Sequence, residues 1–479
     1  MVSVSMFSRF LSLWVLLLLA GSRAAASPTD ESWLGLFLNG RKVGYAQSLV
    51  ADDLFEGRKA QRTDARTLLD VALLGTPLQM DLRSTTWSRD GKPLRMTFRV
   101  ESSGRVQSLD ARFRDAKIEL AVENGGQKSR KLLDLPKDGP VVDDPIDALL
   151  RSPDKTRPRT VYVLDPLTAS LVRNEVRPGP QVEVDVRGRR LKARRVDIVD
   201  PRAASRVYLN ADDEILKAEG PMGLEMIPMP REEALAPGEP GSGDGIDLAS
   251  ASRIPLEKPI RAPWDVRRLK VLLTGPDLPR LPSDGHQTVA KDDRGWVIEV
   301  HPVPFDPAGS ATIAQARQSQ PRYAGPSLYL PADAPEISSL ARRIVGTETN
   351  AAQAAAKIQD WVYEQMRPNA GIGVLRDARE VLKTKEGVCR DYAVLTAALL
   401  RAAGIPARLA SGLIYQDGSF YYHAWAEAWT GKQWLGVDST RPRRGLSALH
   451  VKIAEGNVEE AYNFAFLDKA RLQVLETGQ

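Results

Sequence analysis

Short turn signals set between alternating apolar runs fill the first half of the chain and commit it to antiparallel sheet. Asn39-Gly40 separates the run Trp33 to Leu38 from Val43-Gly44-Tyr45, and Asn-Gly is the dipeptide that a two-residue hairpin turn accepts most readily. Asp90-Gly91 is followed by Leu94, Met96, Phe98 and Val100 at a period of two, while Ile118, Leu120 and Val122 alternate into Asn124-Gly125. Val182, Val184 and Val186 then run to Gly188, and Leu191, Ala193 and Val196 return. Consecutive hairpins over residues 31–228 predict one long, curved antiparallel sheet or partial barrel, with a short helix from Asp144-Pro145 to Leu150 between its halves. The basic residues Arg187, Arg189, Arg190, Lys192, Arg194 and Arg195 fall on one hairpin between its apolar positions. They read as a solvated sheet face, with a patch for an anionic envelope polymer as the sharper alternative.

From Pro237 to Gly245 the chain reads Pro-Gly-Glu-Pro-Gly-Ser-Gly-Asp-Gly, which offers almost nothing to bury and places a linker at 237–258. It divides a β-rich N-terminal domain, 27–236, from a small β region, 259–329, in which Leu269, Val271 and Leu273 alternate, as do Trp296, Ile298 and Val300. That region either stands as a separate sandwich or completes the first sheet; residues 306–330 are polar and Pro-rich and read as a connector. Beyond 330 the period becomes helical. Asp333 reads as a cap before Pro335 and the stripe Ile337, Leu340, Ile344; a second helix starts at Asn350 and carries Ile358, Trp361 and Val362; a third starts at Asp377, with Glu380 completing a capping box.

The chain's single cysteine opens the next helix. Tyr392, Leu395, Ala398, Leu399 and Ala402 form its apolar stripe, and Gly404-Ile405-Pro406 stops it. Cys389 therefore lies in a first turn, where unpaired amides and the helix dipole favour a negative sulfur, although Asp391 nearby disfavours a second negative charge. Strands follow at Ala407 to Tyr415, Phe420 to Thr430 and Gln433 to Val437, turned at Gln416-Asp417-Gly418 and Gly431-Lys432. His423, Trp425, Glu427 and Trp429 share one face of the second strand, and Asp438 ends the third. Adjacent strands can bring His423 and Asp438 into hydrogen-bonding reach, the geometry of a base and its orienter facing the thiol in a solvent-reachable groove. A lone cysteine is by itself a small buried hydrophobe; it is the ordered histidine and aspartate that make it a candidate nucleophile. No second cysteine or close histidine pair accompanies them, so no metal and no cofactor is expected.

The blocks Gly387-Val388-Cys389-Arg390-Asp391-Tyr392-Ala393, His423-Ala424-Trp425-Ala426-Glu427 and Val437-Asp438-Ser439-Thr440 resemble the motifs of the transglutaminase-like superfamily over roughly residues 330–450. The resemblance implies an α+β chain in which a papain-like core, helices packed on an antiparallel sheet within a catalytic domain at 330–479, follows the mostly antiparallel β regions. It implies Cys389 as nucleophile, His423 as general base and acid, and Asp438 as orienter, acting on amide or peptide acyl groups through a thioester. The backbone N–H of Cys389 is one candidate oxyanion donor and Trp361, by position, a second; Trp425 reads as core or cleft wall. His450, between Leu449 and Val451, reads as an exposed strand residue. The superfamily includes crosslinking acyltransferases, peptidases, deamidases, amidases and members without the triad; hydrolysis is preferred here over transfer to an amine.

Arg9 precedes the apolar run Phe10 to Ala20, shorter than the ~20 residues a membrane-spanning helix needs. Ala24-Ala25-Ala26 before Ser27 fits a small-residue cleavage site, so residues 1–26 read as a signal peptide and the protein as exported, periplasmic or secreted, with no stable membrane span after cleavage. One cysteine excludes an internal disulfide. A net charge of +5 over 479 residues, without a nucleic-acid motif, argues against nucleic acid and leaves a protein or peptide substrate of the cell envelope as the expected partner. The competing class is an exported binding or assembly protein whose β-rich region does the work.

Overall fold

The computed structural model describes residues 29–200, 203–237, 247–248, 253–275, 278, 280–461 and 469–478. The segment read as a signal peptide and most of the Pro/Gly-rich linker lie outside the described residues. The chain divides into two compact units, one ending at Leu248 and the other beginning at Ala249.

The first unit is built on one 14-stranded sheet whose neighbours all pair antiparallel. Its strands run in reverse chain order from Gln127–Asp134 back to Thr29–Leu38, step to Leu224–Pro228, and run back again to Arg159–Asp165. Two meanders are thus joined where Leu36 faces Met226. The turns follow from residue chemistry: Asn39, Asp90 and Arg187 have φ of 51°, 52° and 56°, each followed by a glycine at 77°, 72° and 79°. Met96, Phe98, Val100, Ile118, Leu120 and Val122 are buried as the alternation requires. Leu94 departs from that pattern. The register slips between Trp87 and Ser88, which face Arg95 and Pro93, so Leu94 is the extra residue of a bulge. Gln107 donates to the Leu167 carbonyl and Lys131 to the Ala169 carbonyl, so the sheet curls until strands near its two ends meet. The short helix is Pro145–Leu150, capped by Asp144, which accepts the Ile146 N–H at 2.7 Å. In the basic hairpin Arg195 pairs with Asp197 at 3.0 Å, Arg194 with Asp213 and Arg187 with Glu233.

The second unit carries the helices. Its main sheet centres on the strand Ser419–Trp429, which pairs with Ala407–Gln416 on one side and with Trp434–Val437 and Ile254–Pro255 on the other; His450–Gly456 lies outside Ala407–Gln416. The helix Cys389–Ala402 packs on that sheet and is surrounded by Pro335–Val345, Ala351–Gln365 and Ala378–Thr384. Several expectations change here. Ile254 and Pro255, inside the stretch read as linker, join the sheet opposite Phe420 and Ser419. The small β region neither stands alone nor extends the first sheet: Gln287–Lys291, Trp296–Val300 and Arg268–Thr274 pair in turn, and the C-terminal strand Arg471–Gly478 completes them within this second unit. The connector contains a helix, Ile313–Ser319, because Thr312 and Gln315 form a reciprocal capping box. Asp333 does not cap the following helix; Ala334 holds that position and Pro335 the first turn. No helix among the described residues is long and apolar enough to cross a membrane.

Candidate active site

Cys389 is the first residue of its helix, and the preceding Val388 has no side chain able to cap it. Asp391 supplies the missing contact by accepting the Val388 N–H at 3.0 Å. The negative charge that seemed from sequence to oppose a thiolate is itself compensated: buried Arg376 lies 3.1 Å from Asp391, and Arg390 3.7 Å. Arg376 also donates to Thr384 Oγ1 at 2.9 Å and to the Glu386 carbonyl, so one guanidinium ties the approach segment to the helix start. Gly387 is required by this packing, since a Cβ there would lie 2.5 Å from the Cβ of Asp391.

His423 is carried by the central strand, opposite Gly412, while Val437 pairs with Ala426 and so delivers Asp438 just beyond the neighbouring strand. The His423 Nε2 donates to Asp438 Oδ2 at 2.9 Å. Asp438 is fixed in turn by the Thr440 N–H at 3.1 Å and Oγ1 at 2.7 Å, both on Oδ1. Gln359, from the helix Ala351–Gln365, donates to the carbonyls of Asp438, Arg441 and Arg443. Thr396 and Ser439 share a hydrogen bond at 2.7 Å that joins the cysteine helix to the aspartate loop.

The second ring nitrogen of His423, Nδ1, is buried and makes no well-aligned hydrogen bond at rest, yet the Cys389 sulfur is close enough to act on the ring. Such loose pairing is common before substrate binds and tightens on binding. Burial pulls the His423 pKa down, but the Asp438 charge and then Cys389 outweigh it and push it up to about 9. Burial raises the Asp438 carboxyl, and the charge and hydrogen bond of His423, with His450 adding to them, hold it well below the usual carboxylate range.

His450 was unforeseen. It is 3% exposed, and its Nε2 lies 3.4 Å from Asp438 Oδ2, so the strand expected to be exposed is an interior one. Trp425 packs beside both imidazoles, stacked on His423 at 6.2 Å and edge-on to His450 at 5.5 Å. It is 1% exposed, and its buried Nε1 has no hydrogen-bond partner among the described residues. Trp361 is half-buried with its ring beneath the Lys385 ammonium at 5.8 Å, an interaction with a cation and not with the thiol.

The expectation of a solvent-reachable groove fails. Cys389, His423 and Asp438 are 0%, 1% and 2% exposed, because they come from a helix start and sheet strands packed against each other. A cavity of about 340 Å³ lined by Trp264, Tyr415, Arg441, Ser447 and Leu449 borders the aspartate, with Arg441 Nε 3.6 Å from Asp438 Oδ2. Two groupings among the described residues bring three metal-capable ligand atoms together. In His423, Asp438 and His450 the nitrogens already meet the carboxylate at hydrogen-bond distance. In Asp284, Glu427 and Glu455 the carboxylates are held by Lys452 and Arg408.

Residues 338–439 match the model of the Transglutaminase-like superfamily, a span that includes Cys389, His423 and Asp438 and ends before His450. An uncharacterized protein of Mycobacterium leprae is 31% identical over 165 residues, covering 32% of this chain and 54% of that one. An uncharacterized protein of Mycobacterium bovis is 38% identical over 95 residues, 17% of this chain and 29% of its own. The chain thus spans about half or less of the length of these relatives. A protein-glutamine gamma-glutamyltransferase of Pseudomonas aeruginosa is 44% identical over 70 residues, 12% of this chain and 10% of that protein. Among solved structures, a proposed cysteine protease from Cytophaga hutchinsonii aligns at 19% identity and a TM-score of 0.32, over 44% of this chain and 90% of that one.

Proposed function

We propose that this chain, whose C-terminal unit contains a transglutaminase-like core, is an exported cysteine enzyme that hydrolyses amide or peptide bonds through Cys389, His423 and Asp438. The observation that carries the reading is the placement of His423, hydrogen-bonded to Asp438 at 2.9 Å through Nε2 and near enough to Cys389 for the two groups to interact. Asp438 favours the imidazolium, so His423 can take the Cys389 proton when substrate binds and then serve as proton donor. The thiolate attacks an amide carbonyl, of a glutamine side chain or a peptide bond, and forms a C–S bond. The tetrahedral oxyanion faces the first-turn amides of the cysteine helix, with the Cys389 N–H as donor. Collapse breaks the C–N bond as imidazolium protonates the leaving amine, leaving a thioester. Neutral His423 then takes a proton from water, which attacks the thioester, and collapse releases the acid and restores thiolate and imidazolium. Because the triad is closed at rest, substrate enters after an opening movement.

The test is to incubate the full chain with envelope peptides, quench with acid, locate the acyl-enzyme by mass spectrometry, and show that hydroxylamine releases it as a hydroxamate. An adduct at Cys389 with release of ammonia or a new amino terminus, absent in Cys389→Ala, is expected. A fluorescent primary amine added in parallel should stay unincorporated; its transfer onto protein would replace water by an amine as acceptor. Full biological function in Cys389→Ala would move the work to the β-rich unit.

A further inference from the structure

We propose that His450 is a positioning residue of this site: a neutral imidazole that donates from Nε2 to Asp438 Oδ2, shares that oxygen with His423, and sets how tightly the carboxylate holds the catalytic ring. The proposal rests on the reading of Cys389, His423 and Asp438 given above. Its first support is the tautomer. The Ser447 backbone N–H points at His450 Nδ1 from 3.2 Å and the Ser447 hydroxyl lies 3.0 Å away. The Ser447 carbonyl also lies 3.3 Å from Nδ1, but it already accepts the His450 N–H at 3.1 Å, and the two nearer Ser447 groups suit Nδ1 as acceptor, which puts the ring proton on Nε2. The opposite tautomer would turn a bare nitrogen lone pair towards a carboxylate oxygen at 3.4 Å in a buried space.

The surrounding charges keep the ring neutral. Facing it are Asp438, the His423 imidazole at 5.9 Å between centroids, His286, whose Nε2 meets the His450 carbonyl at 2.8 Å, and Arg441 on the far side of Asp438. One carboxylate with one imidazolium already on it leaves no compensation for a second buried cation. Burial, opposed by Asp438 and reinforced by His423 and His286, accordingly pulls His450 down to about 4. Thr440 occupies Oδ1, and the two imidazoles occupy Oδ2. Each donor spreads the carboxylate charge, so removing His450 would strengthen the pull of Asp438 on the His423 proton.

The chain has four histidines, so imidazole nitrogens can be followed individually by long-range proton–nitrogen NMR on the full-length, histidine-labelled protein. The wild type should show His450 as the neutral Nε2–H form from pH 5 to 9. His450→Phe keeps the ring and removes the donor, and it should move the His423 midpoint upward by about half a unit or more. His450→Gln, which returns an N–H near the place of Nε2, should bring that midpoint back towards wild type. An unchanged midpoint in a folded His450→Phe protein, or a wild-type His450 carrying its proton on Nδ1, would overturn the proposal. Should the Phe variant not fold, the wild-type tautomer and the Gln variant decide. A Cys389 that proves unactivated while these NMR results hold would sink the enzyme reading and leave the shared carboxylate standing; the reverse pattern would remove His450 alone.

Discussion

The two units differ in how deeply they bury their paired charges. On the sheet of the first, Arg66–Asp81, Arg95–Asp110 and Arg177–Glu175 pair at 2.8, 2.7 and 2.9 Å with both partners partly in water. One buried carboxylate there, Asp144, lies among other acids: burial, then Asp143 and Asp147, push its pKa up to about 8, which keeps the group protonated at neutral pH. The second unit buries two sets of opposite charges together. Arg376 meets Asp391 with neither side chain more than 1% exposed, and Lys452 and Arg408 share Glu427, Asp284 and Glu455. Surface pairs contribute little and tolerate loss, whereas a buried pair leaves a stranded charge when one partner goes. The buried pairs sit where position matters, at the start of the cysteine helix and on the strand that carries His423.

The sharpest way to break this contrast is Lys452→Met, which leaves Arg408 as the one cation on three carboxylates, Glu427, Asp284 and Glu455. It should cost about 3–5 kcal/mol in the second unit's unfolding transition, read by denaturant titration. A smaller effect is expected from pH. The folded pKa of His423 is raised to about 9, so its contribution is complete below its unfolded value of about 6.5 and is lost as pH rises through 9. That of His450 is lowered to about 4, so its contribution is complete above about 6.5 and is lost as pH falls through 4. The second unit should therefore be most stable near pH 6.5, declining by about 3 kcal/mol on each side. His423→Phe should flatten the alkaline limb and His450→Phe the acidic one. The smallest effect belongs to the surface: Asp81→Asn should change the first unit's stability by less than about 1 kcal/mol, and less still in high salt.

What could be read in the sequence was local. Asn39-Gly40 and Asp90-Gly91 fix their turns from within the turn, and Gly404-Ile405-Pro406 ends the cysteine helix by its own chemistry. The strands of His423 and Asp438 follow from two nearby turns, so these residues could be paired before any fold was known. His450 escaped because its strand is buried on both faces: Leu449, His450 and Val451 are all interior, and alternation carries no signal there. Arg376 and Asp284 escaped for a different reason. Asp284 finds Lys452 across 168 residues, and Arg376 finds Asp391 across 15 with no hairpin turn between them to set a register, so nothing in the local pattern says which opposite charge the fold will bring to either. The closure of the site was hidden for the same reason, since it depends on how helix and sheet pack and not on any one segment.

The central claim is that folding turns Cys389 into an activated nucleophile through His423. The most direct measurement is the rate of Cys389 alkylation by a small electrophile at pH 7, followed by mass spectrometry in wild type and in His423→Ala, which share the same buried thiol. The account predicts rapid labelling in the wild type and a fall of about 10²-fold or more in the variant. Equal rates in the two folded proteins would contradict it.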